Sequence, residues 1–481
     1  MTELSLCFGL ILIILYGLFS MSIDGSVVNS NKYYPIKIVN LYLKDVYFFC
    51  KVWPMMLLLG YIVDYPLVNN ELNLTFFEMS MSTLAFQYNG IDVLLIILTV
   101  IIMQSFKSFE SVLLLLLAFI GQLFMLHSCD LVTFYICLEA QNFCFLVLCG
   151  LQPRVLKYST SRGSRPLVGV EASIKYLLLS AFSSGVLLFW FSILYLRTGI
   201  TTLSWGPLNS VPFEGTTLFD IIPQMMILIA LMFKLGGAPL HIWMVDIYSG
   251  VKRQLLMYLS TAPKLSLFGF WVSTWHSVWT DFTLFLFVAL SMIIGCFGAY
   301  NQPTLRALFA YSTINEIGLM LMAIETAGFH SMFQHLSIYI VTMLLLWNIT
   351  DHRFFSILAV SLAGLPPLAG FFGKAWIFNS VAIGSMAGPY LGLLLISLFC
   401  TGLSLVYYLR VFRLFTMSNQ VSRNNIIYPV GVDGGVGNPY NMSVVSRTYN
   451  THLVDFNIKM TSFCVIFLMF APLFYIKPFV L

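Results

Sequence analysis

A helix needs about 20 predominantly apolar residues to cross a bilayer, and hydrocarbon offers an open backbone no hydrogen-bond partner. Runs of that length and character recur along this whole sequence, and they set what it can fold into. They fall near residues 4–21, 46–63, 91–106, 111–128, 131–150, 170–196, 219–240, 255–275, 282–300, 305–324, 331–348, 354–382, 390–412 and 460–478. Of 481 residues, 59% are hydrophobic and 9% charged, where a soluble domain carries about a quarter charged. The chain therefore reads as an all-α polytopic membrane protein of about 14 transmembrane helices. Its first run, Leu4 to Leu18, lacks a basic flank and a small-residue cleavage site, so it is expected to remain as a span.

The placement of basic residues orients these spans. Lys175, Lys234, Lys264 and Lys374 lie inside them, and of the remaining Lys and Arg only Arg197 and Lys477 fall on the side of the termini. Under the positive-inside rule, both termini face away from the cytoplasm or matrix. The net charge of +4 is spread through loops, with no basic face interleaved with aromatics, and this excludes nucleic acid as a partner. The nine cysteines form no pair with zinc or iron–sulfur spacing and read as small apolar helix residues. No glycine-rich nucleotide loop follows a strand, and no histidine pair suits haem or metal.

Two spans are interrupted, at Lys234-Leu-Gly-Gly-Ala-Pro-Leu-His241 and at Ala363-Gly-Leu-Pro-Pro-Leu-Ala-Gly-Phe-Phe-Gly-Lys374. Proline removes a donor and glycine loosens the helix, so each break leaves backbone groups to be satisfied at membrane depth, usually beside a cavity. The breaks lie five spans apart. This suggests a five-helix unit repeated with inverted topology, the arrangement in which transport sites are found. The expected organisation is 1–110 for helices one to three, 111–275 for the first repeat and 282–415 for the second. A loop at 416–459 and a final helix at 460–481 complete the chain.

Ionisable groups in hydrocarbon cost about 2.5–3.5 kcal/mol on insertion scales and persist mainly along ion paths or in compensating pairs. Glu139 stands mid-span in the second helix of the first unit, and Glu316 holds the same place in the second unit. Lys234, Lys264 and Lys374 are the other deep charges. Lys175 is shallower, and pairing with Glu171 one turn earlier is its competing role. Desolvation and pairing pull a buried Glu–Lys couple in opposite directions, which suits a proton relay. His241, directly after the first break, is a relay or a cap. His330 and His335, at the start of span eleven, lead toward an exit, and His127 is expected to be solvated.

The segments Glu171-Ala-Ser-Ile-Lys-Tyr-Leu-Leu-Leu-Ser-Ala-Phe-Ser-Ser-Gly185, Phe233-Lys-Leu-Gly-Gly-Ala-Pro-Leu-His-Ile-Trp-Met-Val-Asp-Ile-Tyr248 and Ala262-Pro-Lys-Leu-Ser resemble signatures of the antiporter-like membrane-arm subunits of respiratory complex I. So do Leu305-Arg-Ala-Leu-Phe-Ala-Tyr-Ser-Thr-Ile and Leu362-Ala-Gly-Leu-Pro-Pro-Leu-Ala-Gly-Phe, and the match runs from about residue 90 to 412. The subunit 2 type is favoured by lysine at 374. The resemblance implies Glu139, Lys175, Lys234, Lys264 and Lys374 as the proton relay, and it implies neighbouring membrane-arm subunits and lipids as partners. It places FMN, iron–sulfur clusters and ubiquinone on other subunits and no cofactor in this chain. It also implies the mitochondrial inner membrane, with both termini toward the intermembrane space.

Val245 and Ser249 stand where relatives often carry Pro and Glu, and Glu316 where they often carry His. The segment from Thr416 to Lys459 is longer than the resemblance leads one to expect. Two other readings fit the same pattern. One is a free-standing cation/proton antiporter, and the other is a scaffold whose buried charges only hold helices together.

Overall fold

The computed structural model describes the chain chiefly over residues 91–151, 168–201, 218–272, 281–348, 352–384 and 388–423. The spans expected at 46–63 and 460–478, most of that at 4–21 and the loop beyond Arg423 lie outside the described residues. The elements are helices: α1 (Phe109–Leu126), α2 (Leu131–Leu151), α3 (Val168–Thr198), α4 (Leu218–Leu235), α5 (Ile242–Gly250), α6 (Arg253–Leu259) and α7 (Ala262–Phe270). They continue as α8 (Asp281–Tyr300), α9 (Leu305–Glu325), α10 (Phe329–Asn348), α11 (His352–Ala363), α12 (Ala369–Gly384) and α13 (Gly388–Arg423). Among the described residues, six stretches are long and apolar enough to cross a membrane: Leu131–Leu151, Gly169–Leu196, Thr283–Tyr300, Leu305–Glu325, Phe329–Asn348 and Tyr390–Phe415.

Both sequence breaks are breaks in the structure, and their backbones match. After α4, Gly236 takes φ +80° and the Ala238–Pro239 peptide is cis; after α11, Gly364 takes φ +83° and the Pro366–Pro367 peptide is cis. Only glycine adopts such a φ readily, so both positions require it. In each case the glycine stands two residues before the residue that enters the cis bond. Helix then resumes as α5 or α12.

Other boundaries differ from the sequence expectation. Span seven was closed at 240, but α5 carries helix on to Gly250. The single run at 255–275 is two helices, because Ser260 and Thr261 turn their hydroxyls back onto the Met257 carbonyl, at 3.2 and 2.8 Å, and Pro263 starts a new helix. α13 continues to Arg423, beyond the expected end of its span.

The packing forms two compact units. The first comprises Met1–Ser180, Phe191–Glu214 and Ala262–Trp275. Within it α2 packs on α1, and Phe134 of α2 stacks on Phe270 of α7 with ring centroids 3.9 Å apart. The second comprises Ala181–Trp190, Gly215–Thr261 and His276–Leu481. Here α8 and α9 approach so closely that a Cβ on Gly295 would lie 2.6 Å from the Asn315 backbone nitrogen. α9 is the axis of this unit: 94% of its apolar window is buried, against 28% for α13.

Candidate functional site

α9 is where the returning halves of both broken helices converge. Along its buried side, Tyr311 faces the ring of His241 at 5.6 Å, the Thr313 hydroxyl meets the Met244 sulfur at 3.1 Å, and Glu316 meets Lys374. Thr313 and Glu316 are three residues apart and so share one face, about one turn from each other. The segment after the first break therefore lands on one turn of α9, and the segment after the second break on the next.

The centre of the site is an ion cluster. Lys374 Nζ lies 2.9 Å from Glu316 Oε1, and His335 Nε2 lies 2.8 Å from Glu316 Oε2, so one carboxylate joins a lysine on α12 to a histidine on α10. Glu316, Lys374 and His335 are 2%, 5% and 3% exposed. Charges this deep are retained only when paired, and the pairing here uses both carboxylate oxygens. Lys374 also donates to the Leu362 carbonyl at 2.8 Å, one of the last-turn carbonyls that the break leaves without an intrahelical partner. The far ring nitrogen of His335, Nδ1, has no partner among the described residues and faces Gly373, where an added Cβ would come within 2.7 Å of it.

The two break lysines hold different places. Lys234 precedes its glycine by two residues and sits partly buried in the last turn of α4, whereas Lys374 follows its glycine by ten and lies on the returning helix. At the first break the Phe233 carbonyl accepts from the Gly236 backbone N–H at 3.1 Å and from the Trp243 indole N–H at 2.8 Å. Arg306, at the start of α9, is 5% exposed and donates to the Val251 carbonyl at 2.6 Å, which fixes the end of α5.

In the other unit, Glu139 is half-buried on α2. Its Oε1 accepts from the Asn142 amide at 3.3 Å, and Asn142 Oδ1 accepts from the Tyr176 hydroxyl at 3.1 Å. Lys264 is 3% exposed on α7. Lys175 lies 3.0 Å from Glu171 in a pair that is 45% and 66% exposed, the structural role weighed for it from sequence. His127, expected to be solvated, is exposed, and it also holds Asp92, a carboxylate that is 1% exposed, at 3.0 Å. Among the described residues no group of three His, Cys, Asp or Glu side chains is placed to hold a metal.

His335, which the sequence places at the start of a span leading toward an exit, is a direct partner of Glu316. Its partnership with Glu316 joins residues on neighbouring helices, and no spacing within either helix reveals it.

Residues 128–353 match the family profile described as NADH:quinone oxidoreductase/Mrp antiporter, TM. NADH-ubiquinone oxidoreductase chain 2 of Chlamydomonas reinhardtii is 46% identical over 481 residues, covering all of both chains. The chain 2 of Marchantia polymorpha is 31% identical over 64% of this chain and 67% of its own. A chain in the structure of respiratory complex I from Thermus thermophilus with bound aureothin shares the fold at TM-score 0.70, with 20% identity over 98% of each chain. A chain of the Mrp complex from a Dietzia species does so at 0.62, with 17% identity over 85% of this chain and 79% of that one. By full-length likeness at this identity, the chain belongs to the NADH-ubiquinone oxidoreductase chain 2 family, the antiporter-like membrane subunits of respiratory complex I.

Proposed function

We propose that this chain translocates protons through its buried Glu and Lys residues, driven by redox chemistry on other subunits of NADH:ubiquinone oxidoreductase. The observation that carries the reading is the Lys374–Glu316–His335 cluster on the most buried helix. A proton leaving the Lys374 ammonium for Glu316 Oε1 leaves a neutral amine and a neutral carboxyl, which low dielectric favours over separated charges. Once the carboxyl proton has moved to Oε2, its transfer to an unprotonated His335 Nε2 restores the carboxylate and makes an imidazolium, with Glu316 again ionised beside it. Each step crosses under 3 Å, within hydrogen-bond reach, and no electron moves.

Glu139, Lys234, Lys264 and His241 extend this relay, and Lys175 is its most peripheral member. The matched backbones of the two breaks support a pair of inverted five-helix repeats, the second ending before the loop at 416–459, within a 14-helix subunit. The chain sits in the mitochondrial inner membrane with its termini toward the intermembrane space. It is flanked by other membrane-arm subunits, including antiporter-like ones, and by lipids. FMN, iron–sulfur clusters and ubiquinone stay on other subunits.

The test is Lys374→Met in the assembled complex. The expected result is normal NADH oxidation by an artificial acceptor together with a reduced proton-to-electron ratio. A variant that assembles and pumps at the wild-type ratio returns the buried charges to a scaffold role.

A further inference from the structure

One acid–base pair stands apart from the α9 cluster. Between the end of α1 and the start of α2 lies an open cavity of about 390 Å³ lined by Phe124, His127, Ser128, Asp130, Thr133 and Cys137, with Ile136 at its edge. His127 is partly exposed there, and its Nε2 lies 3.0 Å from Oδ2 of Asp92. Asp92 is 1% exposed, and its other oxygen, Oδ1, has no hydrogen-bond partner among the described residues. A buried carboxylate left half satisfied is costly unless it serves a purpose. The pair thus has a wet end, the imidazole, and a dry end, the carboxylate. Thr133, Ile136 and Cys137 of α2 line the cavity, and Glu139 stands two residues beyond Cys137 on the same helix, about 9 Å of helix from Thr133. From Glu139 the hydrogen bonds run on to Asn142 and Tyr176.

We propose that the Asp92–His127 dyad is the proton-exchange site between the aqueous phase and the Glu139 end of the relay. The proposal rests on the proton-translocating reading above and adds its mouth. Solvent protonates the His127 imidazole at Nδ1. The imidazolium passes the proton on Nε2 to Asp92 Oδ2 and returns to neutral, so each transfer moves one proton and no electrons. In the reverse direction the same groups release a proton. Asp130 and Cys137 are the other ionisable groups lining the cavity, and Asp130 raises the local concentration of cations at the opening.

The experiment uses the whole complex reconstituted in liposomes, with His127→Ala and Asp92→Asn. Quinone-reductase turnover coupled to pumping should fall at least about tenfold in both, the scale of a missing proton carrier, with NADH oxidation by an artificial acceptor unchanged. The cavity has room for a free imidazole molecule, so added imidazole should restore turnover to His127→Ala and not to Asp92→Asn. A structural pair gives no such rescue. Wild-type turnover in both variants, or a deficit that imidazole leaves untouched, overturns the proposal. Should His127→Ala fail to assemble, Thr133→Trp plugs the cavity from the exposed face of α2 without touching the dyad. Slowed turnover there supports the site, and wild-type turnover overturns it. Lys374→Met measured in parallel separates the two claims. Unimpaired pumping in that variant sinks the relay reading, whereas impaired pumping there beside wild-type dyad variants sinks the exchange site alone.

Discussion

The two broken helices solve one backbone problem with different side chains. Both turn through a glycine at positive φ and a cis proline peptide, and both leave last-turn carbonyls without intrahelical donors. At the first break the Gly236 N–H and the Trp243 indole both donate to the Phe233 carbonyl. At the second the need is met by Lys374, which also holds Glu316. The lysine at the second break is therefore part of the structure of the break itself, whereas at the first break Trp243 takes that task and Lys234 stands on the other side of the glycine. If protons move through both, loss of protonation at Lys374 loosens the second break, since a neutral amine holds the carbonyl and the carboxylate less strongly than an ammonium does. At the first break the carbonyl is held by an uncharged indole.

Substitutions can break or sharpen that contrast. The largest effect is expected from Glu316→Ala, which leaves Lys374 buried without its counter-charge and should cost about 3–5 kcal/mol. It would be read as loss of the subunit from the assembled complex or a lower melting temperature; near-normal stability would mean that the pair is not holding the second break. Gly364→Ala comes next, because the added Cβ enters a left-handed conformation and would lie 3.2 Å from Lys374 Cδ. A loss of about 1–2 kcal/mol, together with altered pumping, is expected. Gly236→Ala meets the end of the Met244 side chain instead, so it should cost similar stability with less effect on pumping.

Trp243→Phe removes the indole donor and keeps the ring packed near Phe233, for about 1 kcal/mol and unchanged pumping. A large pumping defect in that variant would abolish the distinction between the breaks. The smallest effect belongs to Lys175→Gln. Its pair with Glu171 is exposed and spaced i,i+4, so a change of at most about 0.5 kcal/mol and near-wild-type turnover are expected.

The sequence made the apolar runs, both breaks and the depth of Glu316 and Lys374 legible, because hydropathy, proline and buried charge are all local signals. Spans such as 131–150 and 305–324 correspond closely to α2 and α9. What escaped was everything decided between helices. His335 joins Glu316 across two elements, Arg306 reaches from α9 to the end of α5, and Asp92 holds a histidine 35 residues away. Hydropathy also merged α6 with α7, since two short apolar helices separated by Ser260 and Thr261 look like one long run. The sequence placed the two break lysines at equivalent helices. Within those helices one lysine precedes its glycine and the other follows it, and the backbone shows that Gly236 and Gly364 make the same turn.

The most direct measurement of the central claim is the redox-triggered infrared difference spectrum of the assembled complex, compared between wild type and Glu316→Gln. A carboxyl that takes a proton from Lys374 during turnover gives a protonated-carboxyl band in the wild type, and this band should be missing in Glu316→Gln while the redox bands of the other subunits remain. The same carboxyl band in both proteins would show that Glu316 keeps a fixed protonation state, and the cluster on α9 would then be a structural clamp and not a carrier.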